Sequence, residues 1–102
     1  MNLPNDPFIL ELLPEFVETW IQDLENFNNF KANGQKDELY RMAHTLKGSC
    51  YQFSINDIGD MGVQLMGYAK VEDWENSTLL FEKIKNRFIE VNDYLKSIGL
   101  AV

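Results

Sequence analysis

The 102-residue sequence predicts an all-α fold, an antiparallel four-helix bundle with a short leading N-terminal helix. Three observations carry this. Apolar residues recur at intervals of three and four through most of the chain. No stretch alternates apolar and polar with the period of two that a half-buried strand needs. The breaks between periodic stretches are only a few residues long. Four amphipathic segments with short connections bury their stripes most economically around one core. The length holds one such core, and 45% hydrophobic with 25% charged residues is the composition of a folded protein, so residues 1–102 are read as a single domain.

In chain order, Asp6 before Pro7 reads as an N-cap followed by proline at the first helical position, opening the short leading helix over residues 6–12. Pro14 then suits the first turn of a longer helix, where its missing N–H would have no partner anyway. Leu13, Phe16, Trp20, Leu24 and Phe27 follow at helical intervals up to the Asn33-Gly34 turn signal. The next helix runs from Gln35 to Phe53, with Leu39, Met42, Leu46 and Phe53 on one side. Ser54, with Asp57 three residues on, resembles a cap for the third, in which Ile58, Met61, Leu65 and Tyr68 recur. Gly59, Gly62 and Gly67 each weaken that helix by roughly 1 kcal/mol relative to alanine and would instead allow close helix approach. The last helix spans Asp73 to Ile98. Trp74, Phe81, Ile84, Phe88, Val91, Leu95 and Ile98 form its heptad seam, and Gly99 is its stop.

Charge and motifs remove several function classes. Nine Lys and Arg against sixteen Asp and Glu give a net charge of −7, and residues 1–30 hold six acids and no base. Nucleic acid and anionic membranes, which need cationic patches, are therefore poor partners. No apolar run is long enough for a bilayer span, and the first residues lack the pattern of a signal peptide. Cys50, the one cysteine, cannot pair within the chain, and with a single histidine there is no Cys/His zinc set. A reducing, cytoplasmic setting is expected. Neither a Gly-rich phosphate loop nor a Ser nucleophile elbow is present, so no means of binding ATP is visible.

The one histidine stands out by its position. At about 100° per residue, with His44 as zero, Met42, Phe53, Leu46 and Leu39 fall between about 160° and 220°. The expected core stripe is thus diametrically opposite, and His44 faces solvent. Within about 60° of it lie Tyr40, Arg41, Lys47, Gly48 and Tyr51. An exposed histidine is more often an ordinary surface residue, and Lys47 has an equally plain reading as surface charge. Gly48 is harder to dismiss, because a glycine inside a helix costs roughly 1 kcal/mol and its missing side chain clears space beside the imidazole. The sharper reading makes an imidazole nitrogen the nucleophile, with Lys47 neutralising the anion it receives, phosphate being the obvious candidate. Tyr40 and Tyr51 on the same face would suit docking.

The run Ala43-His44-Thr45-Leu46-Lys47-Gly48-Ser49 closely resembles the phosphoacceptor signature of histidine-containing phosphotransfer (HPt) domains of two-component phosphorelays. Their pattern, roughly A-H-x-L-K-G-S, sits on the second long helix of a four-helix bundle, and the resemblance extends over about residues 14–98. It implies that His44 accepts a phosphoryl group on Nε2, that Lys47 stabilises it, that Gly48 leaves room for it, and that Ala43 and Leu46 pack inward. The chain departs from the family at Cys50, where a small Ala or Ser is usual, and at Ser54-Ile55, where Gly-Ala is common. It departs again at Met66, where many members carry a Gln directed at the histidine; Gly67 and Lys70 follow. Lys70 is a candidate second cation, and Tyr40, Arg41, Tyr51, Met66 and Gly67 make up the expected partner-facing surface.

The resemblance further implies a phosphoryl carrier that is not itself an enzyme. Its partners would be receiver domains of response regulators and a hybrid sensor histidine kinase. The chain would bind no cofactor, Mg²⁺ would come with the receiver, and a complete core in one chain makes a monomer the default. Two alternatives stand beside this. One is a chemotaxis-type domain phosphorylated directly by a kinase, though members of that group often show Gly-Gly where this chain has Gly48-Ser49. The other is a non-catalytic helical adaptor that binds a receiver without accepting phosphate.

Overall fold

The computed structural model describes Pro4 and residues 6–100. Five helices follow in order: α1 Pro7–Asp23, α2 Asn26–Ala32, α3 Lys36–Gln52, α4 Asn56–Lys70 and α5 Trp74–Ser97, with no strand among the described residues. Because α1 and α2 form one arm bent at a turn, the architecture is a four-helix bundle, with extents of 40 × 19 × 17 Å. The arm packs on α3 through α2, α3 on α4, α4 on α5, and α5 back on α1. Phe27 stacks on Phe81 with ring centres 4.3 Å apart, and Trp20 on Phe88 at 6.3 Å. The first arm therefore runs antiparallel to α5.

The first arm is interrupted at a different place from the one the sequence indicates. Asp6 caps α1 as expected, accepting from the Phe8 N–H at 2.9 Å, but the helix continues through Pro14 to Asp23. The leading segment is thus the first two turns of α1. Pro14 forgoes one i→i−4 bond to the Leu10 carbonyl, yet buried Leu13 and Val17 on either side keep the helix fixed against the core. The break falls at Leu24 and Glu25, where bonds tighten to i→i−3, from Glu25 to Gln22 and from Phe27 to Leu24. That tightening lets both Leu24 and Phe27 face inward.

One geometry ends four of the helices. Gly34, Ser54, Glu72 and Gly99 have φ of 61°, 60°, 55° and 80°. In each case the following N–H reaches back over the left-handed residue: Gln35 to Phe30 O at 2.8 Å, Ile55 to Cys50 O at 2.8 Å, Asp73 to Tyr68 O at 3.0 Å, and Leu100 to Leu95 O at 2.9 Å. These are Schellman closures. In the first three, the donor residue is also the N-cap of the next helix, so the chain reverses within three residues. Ser54 therefore closes α3 and does not cap α4. The N-cap is the buried Ile55, without a side-chain cap bond. Asp73 does cap α5, accepting from the Asn76 N–H at 3.0 Å, and that bond lowers its pKa below the usual carboxylate range.

The three glycines of α4 divide in function. A Cβ at Gly62 would lie 3.1 Å from Lys47 N and 3.2 Å from Ala43 O, and one at Gly59 would run into the Tyr51 ring. The α3–α4 contact is thus backbone against backbone at Gly62. Gly67 meets nothing within 4 Å.

Substitutions should therefore divide by sign. Gly67→Ala is expected to raise stability by about 1 kcal/mol through helix propensity, whereas Gly62→Ala should lower it, because the obstructing atoms are main chain. Ser54→Gly should stabilise by up to about 1 kcal/mol by relieving the left-handed conformation. Urea unfolding of the three variants checks this, and equal shifts for Gly62→Ala and Gly67→Ala would contradict the close-approach reading.

Candidate functional site

The site is built on the face of α3 turned away from the core. The buried stripe of that helix is Leu39, Ala43, Leu46 and Cys50, centred about 130° from His44 rather than opposite it. Met42 and Phe53, assigned by the sequence to the stripe, are half-buried at its edge. Phe53 stacks on Phe16 of α1 at 4.0 Å. The stripe is rotated because α3 presses hardest on α4, where the small Ala43 fits against Gly62. His44 remains exposed but lies nearer the α3–α4 seam than expected.

Around it, the residues expected at the site fall into two groups. His44, Tyr40 and Arg41 line one shallow hollow together with Asp37. Arg41 is exposed and paired with Glu38 at 3.2 Å. Lys47 is half-buried with its backbone against Gly62, while Gly48 is exposed and a Cβ there would meet nothing within 4 Å. Across the seam, Tyr51 meets Asp60, Lys47 meets Gly62, and Tyr40 meets Lys70. This antiparallel register puts the half-buried Met66 level with His44. Lys70 is exposed, with Nζ 5.5 Å from the centre of the Tyr40 ring. Gly67 is exposed and open.

Tyr51 belongs to a different arrangement. Its hydroxyl donates to Asp60 Oδ1 at 2.6 Å and its ring covers Gly59, so it braces α3 against α4 while staying exposed on this face. The bond to Asp60 raises the phenol pKa. Sequence reasoning missed Asp37, Asp60 and this brace. Asp37, seven residues before His44, was detectable from helical spacing alone, whereas the Asp60 contact depends on register between two helices.

Among the described residues, Lys36, Arg41, Lys85 and Arg87 are engaged in ion pairs; Lys47 and Lys70, on the two helices beside His44, are among the lysines that form none. No group of three or more His, Cys, Asp or Glu among the described residues is placed to hold a metal ion. Cys50 lies beneath the site as a buried free thiol, its pKa pushed up to about 12 by burial and then by Asp57. It is unsuited to nucleophilic work.

A helical bundle presenting one exposed imidazole, an unpaired lysine a turn away and an open glycine is a form suited to carrying phosphate. Comparison with protein families identifies the class: the family described as Hpt domain matches residues 11–97, and the chain belongs to it. Hpt domains are phosphocarrier modules of two-component signalling that interact with receiver domains of response regulators, and the phosphotransfer role comes with membership. No match was found among curated proteins or solved structures. No helix among the described residues is long and apolar enough to cross a membrane.

The open space at Gly48 makes a stability prediction. Gly48→Ala should raise stability by about 1 kcal/mol, the helix-propensity difference alone, since its methyl displaces nothing. A loss of stability in urea unfolding would assign the glycine to packing.

Proposed function

We propose that this chain takes a phosphoryl group from a receiver-domain aspartate onto Nε2 of His44 and passes it to an aspartate of a second receiver. The observation that carries this reading is the exposed His44 imidazole beside the unpaired Lys47 and the open Gly48. In the forward step the Nε2 lone pair attacks phosphorus in line. The P–O bond to the donor aspartate breaks, and its carboxylate leaves with the bonding electrons. Nδ1 holds its proton throughout, so the ring becomes a phosphoimidazolium, and the reverse displacement passes the group to the next carboxylate with neutral imidazole as the leaving group. Such transfer depends mainly on positioning and charge neutralisation.

Each residue has a part in that scheme. Lys47 offsets the charge of the phosphoryl oxygens, and Gly48 admits the approaching receiver. Mg²⁺ enters with the receiver's own carboxylates, so this chain needs no resident cofactor. Its setting is cytoplasmic and its working form a monomer. A receiver of a hybrid sensor kinase is the natural donor.

Incubation with a phosphorylated receiver tests the assignment. Wild type should acquire one phosphate that survives base and is lost in acid. His44→Gln should acquire none while its unfolding midpoint stays within about 0.5 kcal/mol of wild type, as for other exposed positions. Persistent labelling of that variant would refute His44 as acceptor. Lys47→Ala should slow transfer roughly 10- to 100-fold, the loss of one charge-assisted hydrogen bond. Labelling by a kinase with ATP but by no receiver would place the chain with directly phosphorylated domains.

A further inference from the structure

Tyr40 and Lys70 form a pair that the scheme above leaves unused. Lys70 extends from the last turn of α4, and its Nζ sits 5.5 Å from the centre of the Tyr40 ring. That lies within cation–π range. Tyr40 is half-buried, so its ring is held, whereas Lys70 is exposed and free of any ion pair among the described residues. Two hollows share Asp37 and Tyr40, one holding His44 and the other Lys70. One is lined by Asp37, Tyr40, Arg41 and His44, and the other by Lys36, Asp37, Tyr40, Ala69 and Lys70.

Helix geometry directs the lysine and the imidazole toward each other. Side chains lean toward the N-terminus of their own helix. On α3 that carries His44 toward Tyr40, one turn earlier. On antiparallel α4 it carries Lys70 toward the level of Met66, which is the level of His44. The other two cations lining these hollows are paired, Arg41 with Glu38 and Lys36 with Glu72 at 3.9 Å. Asp37 is the one carboxylate lining both hollows.

We propose that Tyr40 is a positioning residue that holds the Lys70 ammonium beside the acceptor, ready to move onto the phosphoryl group once His44 carries one. This rests on the assignment of His44 as phosphoacceptor. A carboxylate at position 40 would also hold a lysine, but it would repel the arriving phosphoryl oxygens and keep the lysine as their competitor. An aromatic face holds the cation through its quadrupole, with no formal negative charge and little barrier to release. Lys70 thus supplies a second positive charge, across the seam from Lys47.

The test uses a small donor, so that docking of a partner does not enter. The intact chain is incubated with potassium phosphoramidate, and the rate of phosphate gain at His44 and its later hydrolysis are followed by mass spectrometry. Lys70→Met should slow gain. Tyr40→Leu should slow it about two- to five-fold, the range of an exposed cation–π contact, and Tyr40→Phe, which keeps the ring face, should restore the wild-type rate. In a Lys70→Met background, Tyr40→Leu should have no further effect, because the two act as a unit. The proposal is overturned if Tyr40→Leu labels at the wild-type rate, or if it slows labelling equally with and without Lys70. If wild type gains no phosphate at His44, the acceptor assignment fails and this inference with it.

Discussion

The close approach of two main chains at Gly62 is the constraint on which the rest of the site depends. Where α4 presents no side chain, α3 comes close enough for Lys47 N and Ala43 O to crowd the space a methyl group would fill, 3.1 and 3.2 Å from its carbon. Contacts along the seam are then made by side chains at its rim: Tyr51 with Asp60 at one end, Lys70 with Tyr40 at the other. The helix under the imidazole is clamped on both sides while the imidazole itself stays in solvent. Fixed backbone and free side chain is the combination a carrier needs, since partners must find the acceptor atom in a constant place.

Much of this was legible from one sequence because helical periodicity and capping are local. The Asp6 and Asp73 boundaries, the outward direction of His44 and the α5 seam from Phe81 to Leu95 follow from spacing alone, although Ile98, assigned to that seam, is exposed at the C-cap and Ser77 and Leu80 are buried in addition. Local rules misplaced three things. Pro14 looked like a start because its missing donor is usually tolerated there, yet burial of Leu13 and Val17 overrode that preference. Ser54 looked like a cap because Asp57 lies three residues on, yet the chain spends that serine on the left-handed residue of a Schellman closure. Met42 and Phe53 looked central to α3 by hydrophobicity, but Ala43 and Cys50 are buried there beside Leu39 and Leu46, because the helix turns its Ala43 side toward the close contact at Gly62.

The site itself divides along the same line. His44, Lys47 and Gly48 sit on one helix within a single turn and were evident together. Tyr51 belongs to the same face and looked equally free; its attachment to Asp60 depends on how α4 registers against α3, and the sequence contains no local signal for that. Met66 and Lys70 were reached through the family resemblance, since no spacing on α3 points to them. The recurring three-residue reversal, with a left-handed residue followed at once by the next N-cap, is what sets the register, because it leaves no slack by which one helix could slide along its neighbour.

The thiol of Cys50 has a practical consequence. It is fully enclosed, and its proton is held far above neutral pH by burial and by Asp57. Alkylating reagents and mild oxidants act on exposed thiolates, so the native chain should pass through maleimide chemistry untouched. A cysteine introduced at any solvent-facing position would then be the single reactive handle, and a fluorophore could be attached for following partner encounters without first replacing a residue of the core.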